Sequence, residues 1–364
     1  MVESYPCLPE ALLTGPGTDI VKATYNSSFS KVWSPSSQRS VTEDFNPKMI
    51  IFDMGLTVLS MLVGLILLAL GAEAQSRIQI AKSCDRYQTM VVQAVDSALA
   101  HARLAQQKLW DLQHVSPPDP DISLLAEKLF TRDGIEDARS RFEKIAALRF
   151  DGLFTGLVDD RSKGRTGDII IYCDFSRFTY NAATELYHDD LNGIRLNKDK
   201  WERYVTDEIP RAVMAENGNP RPISVSALTI IPKALRDLRD FGNTGRVTTW
   251  NSGSDDDDAE EADYEAMMIR KSRSSSPWIS GLGWLLDGTI LHELSHAYVC
   301  GWSSDTDGQD SYGWSNVVKI RRSDNADNLR YFATTAKLVK LGFSISKEGR
   351  YQRSPKLAWK RSML

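Results

Sequence analysis

Two of the five histidines in this chain stand four residues apart, in the string His292-Glu293-Leu294-Ser295-His296. On a helix, four residues advance by about 400°, so both imidazoles fall on one face, one turn apart, where they can ligate a single zinc ion. Glu293 is turned about 100° from His292, off the ligand line but within reach of a water held by the metal. Zinc brings the pKa of such a water towards about 7, and the carboxylate takes its proton as the oxygen attacks a carbonyl. A chance match to H-E-x-x-H is expected only about 0.003 times in a chain of this composition, so the spacing is read as chemistry. Ile290 and Leu291, just before it, are apolar residues that would bury the helix and hold the ligands rigidly.

A catalytic zinc takes a third protein ligand. No histidine follows His296, and the first glutamate after it is Glu348, in the tail. The carboxylates left are Asp305, Asp307, Asp310, Asp324 and Asp327, with Cys300 as the one soft alternative. The oxygen-rich string Asp305-x-Asp307-Gly308-x-Asp310 also has the density of a calcium loop, but it lacks the order of an EF-hand.

The motif lies in an apolar helical stretch, WLLDGTILHELSHAYV (284–299), and two more helices are predicted around Val317 and Ala333. Upstream, 78–112 has helical spacing through Val91, Val92, Ala94, Val95, Ala98 and Leu104. Further helices are predicted over 121–130, behind a PPDP turn, and over 135–150. After Gly152 the texture becomes β-rich, with strands predicted within 167–175, 225–231 and 246–250 and helices over 182–191 and 233–241. The acidic run 252–265 reads as a solvated loop. The predicted class is α+β, helix-rich, with a small mixed β-sheet. A catalytic domain over 151–343 is preceded by a helical segment, 75–150, that packs on it or masks it, and is followed by a basic tail, 344–364.

The whole chain has 364 residues and a formal charge of -4, which argues against nucleic acid as a partner of the whole surface. Its four cysteines include no C-x-x-C pair. An uncharged run from Leu56 to Leu70 ends in Ala72-Glu73-Ala74, the pattern of a signal peptide over 49–74 cleaved before Gln75. Residues 1–48 are polar and precede it, so translation from Met49 or Met54 is the leading reading. The alternative is a type II anchor through 55–72. Both put the rest of the chain outside the cytosol, where Cys84, Cys173 and Cys300 can form one disulfide and leave one thiol over. With the leader cleaved, no stable membrane association is expected, and the protein is expected to be a monomer.

HELSH, a Thr-Asp segment, Tyr312-Gly313-Trp314 and Asn325-Ala326-Asp327 together resemble the aspzincins, the deuterolysin-like and peptidyl-Lys metalloendopeptidases of fungi. The resemblance runs from about Gly283 to Ala336. It implies a zincin-like domain with one Zn²⁺ per chain, protein or peptide substrates, and an aspartate from a G-T-x-D-x-x-Y-G segment as third ligand. Here Asp305-Thr306 replaces Gly-Thr, and the position three before Tyr312 is Gln309. Counting forward from His296 favours Asp307, with Asp310 and Asp305 in reserve. Tyr312 matches the family tyrosine that steadies the oxyanion. Asp327 stands where the lysine-specific members carry a carboxylate near the substrate pocket, or else caps a helix. Arg330, three residues on, would repel a basic side chain, so at most a mild preference for basic residues is expected. The function implied is a secreted zinc metalloendopeptidase with Glu293 as general base. The alternative is a secreted interaction protein that keeps the zinc-binding helix without efficient peptidase activity.

Overall fold

The computed structural model describes residues 75–151, 157–159, 167–206, 212–215, 225–243, 285–305 and 311–353. The leader, the strand predicted over 246–250, the acidic run, Asp307 and Asp310 lie outside the described residues.

An α+β, helix-rich architecture with small mixed sheets is observed. The main sheet has the order β1 (Ile78–Ile80), β2 (Ile169–Tyr172), β7 (Ser226–Ile230) and β6 (Ala212–Ala215). The first three strands run parallel, and β6 closes one edge antiparallel. β2 and β7 are buried throughout, as expected of uncharged central strands covered on both faces. Ile169 and Ile171 enter the main core, whereas Ile170 and Tyr172 enter a second cluster on the other face. That second face is covered by an antiparallel meander of β3 (Thr179–Asn181), β4 (Leu186–Asp189) and β5 (Ile194–Asn197), with α4 (Lys198–Thr206) after it.

On the first face, α1 (Gln88–His114) is the central helix. It packs against α2 (Pro120–Leu129), α3 (Gly134–Ala146), α6 (Leu286–His296) and α8 (Ala326–Lys340). Its buried stripe, Val91, Val95, Ala98, Ala102, Ala105 and Leu109, steps by three and four residues, and its alanines let neighbouring helices approach closely. Asp119 caps α2 by accepting from the backbone of Asp121 and Ile122, with Pro120 opening the helix. The remaining helices are α5 (Pro232–Asn243) and α7 (Trp314–Ile320).

Three expectations are corrected. The helix predicted from residue 78 begins at Gln88; Ile78–Ile80 is a parallel strand beside β2, followed by a 3-10 turn over Lys82–Tyr87. The stretch 182–191, read as a helix, is the turn and second strand of a hairpin. Asn181 Oδ1 accepts from Ala183 N in an Asx turn, and Tyr180 lies opposite Tyr187 across the strands. The boundary after residue 343 falls inside another hairpin, β8 (Phe343–Ile345) with β9 (Tyr351–Arg353), whose Phe343, Ile345 and Tyr351 are buried.

The segment 75–150 supplies a strand to the main sheet and the central helix to the main core, so residue 150 does not divide two cores. The disulfide joins Cys84 to Cys173, from the turn after β1 to the end of β2; Cys300 is buried and lies outside it. No helix among the described residues is long and apolar enough to cross a membrane.

Candidate metal centre

All of α6 from Leu286 to Ser295 is buried, because its apolar side chains face α1 on one side and α8 on another. His292 and His296 therefore project from a helix held by packing rather than from a loop. The helix stops at His296; Ala297 is extended, a 3-10 turn covers Tyr298–Cys300, and Gly301 takes a left-handed φ of 98°. That glycine folds the chain back along the helix it has just left. Ser303 N reaches Ser295 O, and Ser304 bridges to the start of α8 through Asp324 O and Ala326 N. The next residue, Asp305, is thereby delivered to the two imidazoles.

His292 Nε2 and His296 Nε2 are 3.2 Å apart, and Asp305 Oδ1 lies 3.3 Å from the first and 3.6 Å from the second. Each ring also has a partner at its other nitrogen. His292 Nδ1 is 2.8 Å from Asp327 Oδ1, and His296 Nδ1 is 2.9 Å from the carbonyl oxygen of Ser303. Both partners only accept, so each Nδ1 carries the proton and, in a neutral ring, each Nε2 turns a lone pair inward. Asp305 Oδ1 is buried and has no hydrogen-bond donor of normal geometry. Two lone pairs and a carboxylate oxygen, all within 4.8 Å of one another, form a set that repels itself unless a cation joins it. His292, His296 and Asp305 therefore have the donor types and the proximity that could hold a metal ion among them.

In the metal-free chain a proton serves instead. Burial opposes the charged ring of His292, but the carboxylates of Asp305 and Asp327, one at each ring nitrogen, outweigh it and raise the pKa to about 10. Burial likewise opposes ionisation of Asp305, and the contact with His292 wins, holding its carboxyl well below the usual range. The folded metal-free chain thus keeps a proton that the unfolded chain releases above about 6.5. This stabilisation is full below pH 6.5 and is lost as the pH rises through about 10; the Asp305 share disappears only in strong acid. In the presence of a chelator, the melting temperature is expected to fall by roughly 5–10 °C between pH 6.5 and 10 from this group. Scanning calorimetry should show that fall, and repeating it with a divalent metal added tests the site: a metal that takes the proton's place removes the fall.

Glu293 Oε2 accepts from Met214 N of the edge strand β6 at 2.7 Å. Its charge is felt at His292 and at Tyr312. Tyr312 is 43% exposed; its hydroxyl donates to Asp305 Oδ2 at 2.8 Å, and its ring stacks on His292 at 5.7 Å between centroids. Burial of the hydroxyl, then the neighbouring Asp305 charge, pushes its pKa far above the ordinary phenol value. Tyr312 is therefore a permanent donor at physiological pH, suited to hydrogen-bonding an oxyanion and not to acting as a base.

Of the residues singled out by sequence, the structure brings together His292, His296, Glu293, Tyr312 and Asp305. Asp307, which spacing favoured, lies outside the described residues. Asp327 corrects its expected role: it is 0% exposed, sits in the first turn of α8 behind the N-cap Asn325, and gives its carboxylate to His292, Gly313 and Arg330. Neither a pocket-lining charge nor a cap describes it. Arg330 points at Asp327 and so is not an uncompensated charge waiting for substrate. Sequence spacing also missed Met214 and Ser303, which act through backbone atoms that no side-chain pattern reveals.

Comparison with protein-family models, with curated proteins and with solved structures finds no match to this chain.

Proposed function

We propose that the chain is a zinc-dependent metalloendopeptidase of the aspzincin type, with His292, His296 and Asp305 as metal ligands and Glu293 as general base. The observation that carries this reading is the convergence of two inward Nε2 atoms and one undonated carboxylate oxygen, with the Glu of the motif on the same buried helix. Zinc at this position supplies a Lewis acid that acidifies water and polarises a carbonyl. Glu293 would take a proton from the attacking water as its oxygen bonds to the carbonyl carbon, and would give that proton to the amide nitrogen as the C–N bond breaks. The Tyr312 hydroxyl, whose one proton goes to Asp305 Oδ2 in this structure, would turn it from Asp305 to the oxygen that becomes negative as the carbonyl carbon turns tetrahedral. The Cys84–Cys173 bridge supports an oxidising, extracytosolic compartment and hence secretion.

Hydrolysis of casein, abolished by a chelator and restored by zinc, tests the reading. A folded chain that takes up no zinc overturns it, and one that takes up zinc but cuts no peptide favours the interaction-protein alternative. The choice of third ligand has its own test. Asp305→Ala is expected to weaken zinc binding by about 100-fold, at or beyond the top of what a supporting residue commands. Asp307→Ala should stay within roughly threefold of the parent in the same competition titration. The reverse order would move the ligand to Asp307.

A further inference from the structure

Asp327 lies 35 residues from His292 in sequence and meets it in the interior. Its Oδ1 takes the His292 Nδ1 proton at 2.8 Å, on the side of the ring away from Asp305. Its Oδ2 accepts from Gly313 N at 3.1 Å and from an Arg330 Nη at 3.0 Å. Three elements thus meet on one carboxylate that has no exposed surface: α6 through His292, the start of α7 through Gly313, and α8 through Asp327 and Arg330.

Burying a carboxylate alone is costly, and Arg330, one turn along the same helix, supplies the opposite charge that offsets it. The stem of Arg330 runs over Gly288 of α6, the position at which a Cβ would come into contact with it. Gly313 takes a φ of 87°, which turns its N–H towards Asp327 while leaving Tyr312, its neighbour, stacked on the same imidazole.

We propose that Asp327 is the positioning residue of this centre: it keeps His292 in the tautomer that turns Nε2 towards a metal, and Arg330 and Gly313 hold Asp327 in place to do so. An imidazole whose Nδ1 proton had no fixed acceptor could rotate or change tautomer, and each alternative removes one ligand atom from the set. The same carboxylate ties the backbone beside Tyr312 to that ring, so the metal side and the oxyanion side of the site share one anchor. Asp327 touches neither metal nor substrate and acts through His292. The proposal rests on the metal reading of the site, and the test separates the two.

Zinc affinity of the full chain and of Asp327→Asn is measured by competition with a chromophoric chelator, without any peptidase assay. The variant is expected to bind zinc 10–100-fold more weakly (about that range is usual for groups that orient a ligand) while its circular dichroism stays that of the parent. Equal affinity in a folded Asp327→Asn overturns the proposal and leaves the metal reading standing. Absence of zinc binding by the parent overturns both. Should Asp327→Asn fail to fold, the parent alone decides: long-range proton–nitrogen NMR of the zinc-loaded chain should show the assigned His292 ring protonated at Nδ1 and bound through Nε2. A proton on Nε2 overturns the proposal. A merely structural Asp327 would change the melting temperature and move neither the affinity nor the tautomer.

Discussion

Glu293→Gln is expected to lower peptide hydrolysis by about 10²- to 10⁴-fold, the range that a positioned general base contributes. Zinc content should be unchanged, because the proposed ligand atoms belong to His292, His296 and Asp305 and not to Glu293. The substitution is nearly isosteric. It keeps an oxygen that can accept from Met214 N, so α6 should stay docked against β6. Loss should appear in kcat and in kcat/KM alike, since the proton is transferred only on the way to the transition state. Steady-state kinetics with a fluorogenic peptide, alongside metal analysis of the same preparation, checks both halves. Near-parental turnover would remove Glu293 from the mechanism, and loss of metal would make it a ligand.

Removing the bridge, as Cys84→Ala with Cys173→Ala, is expected to cost about 4–5 kcal/mol by the loop-entropy account for a closed loop of this size. The two cysteines are 89 residues apart in sequence, so cutting the link restores much freedom to the unfolded chain. For a domain of this length the melting temperature should drop by roughly 10 °C or more, measurable in calorimetry under matched buffer conditions. Cys300→Ala should behave differently, because it opens a small cavity at the end of the 3-10 turn Tyr298–Cys300 without touching the bridge, a cost of about 1 kcal/mol. A double variant as stable as the parent would mean that the unfolded chain is already compact across that loop.

How much of this was legible in the sequence follows from the range of each interaction. His292, Glu293 and His296 were readable because helical periodicity is local, and four residues suffice to put two rings on one face. The buried strands β2 and β7 announced themselves as short uncharged runs, β2 by three successive isoleucines and β7 by Leu228, Thr229 and Ile230, bounded by turn residues. Asp305 was only one of several candidates, because its arrival depends on the left-handed Gly301 and on a bridge from Ser304 to Asn325, and counting residues does not register a reversal of direction. Asp327 was misassigned for a related reason: its partner is 35 residues away, and nothing in Asn-Ala-Asp distinguishes a carboxylate facing solvent from one facing an imidazole. The stretch 182–191 has no glycine or proline to break a helix; its turn is made by the Asn181 side chain and its pairing by Tyr180 and Tyr187, which become neighbours only after the chain has folded back.

The position of β1 has a consequence for synthesis. It is the first described strand, yet its hydrogen-bonding partner is β2, which lies 91 residues later at Ile78 and Ile169. At about 5–20 residues per second, the ribosome takes roughly 5–18 s to produce that partner. Until then the Ile78–Ile80 backbone lacks β2 on one edge and gains the backbone of Arg149 and Val158 on the other as these emerge, while α1, α2 and α3 can already pack around the stripe from Val91 to Leu109. The first part of the helical layer, α1 to α3, can thus form before the sheet is complete, and the Cys84 thiol must wait for Cys173 over the same interval. A nascent chain arrested before residue 169 should present packed α1, α2 and α3 and a reduced Cys84, and the layer is completed only when the H-E-x-x-H helix and then α8 arrive and dock against α1.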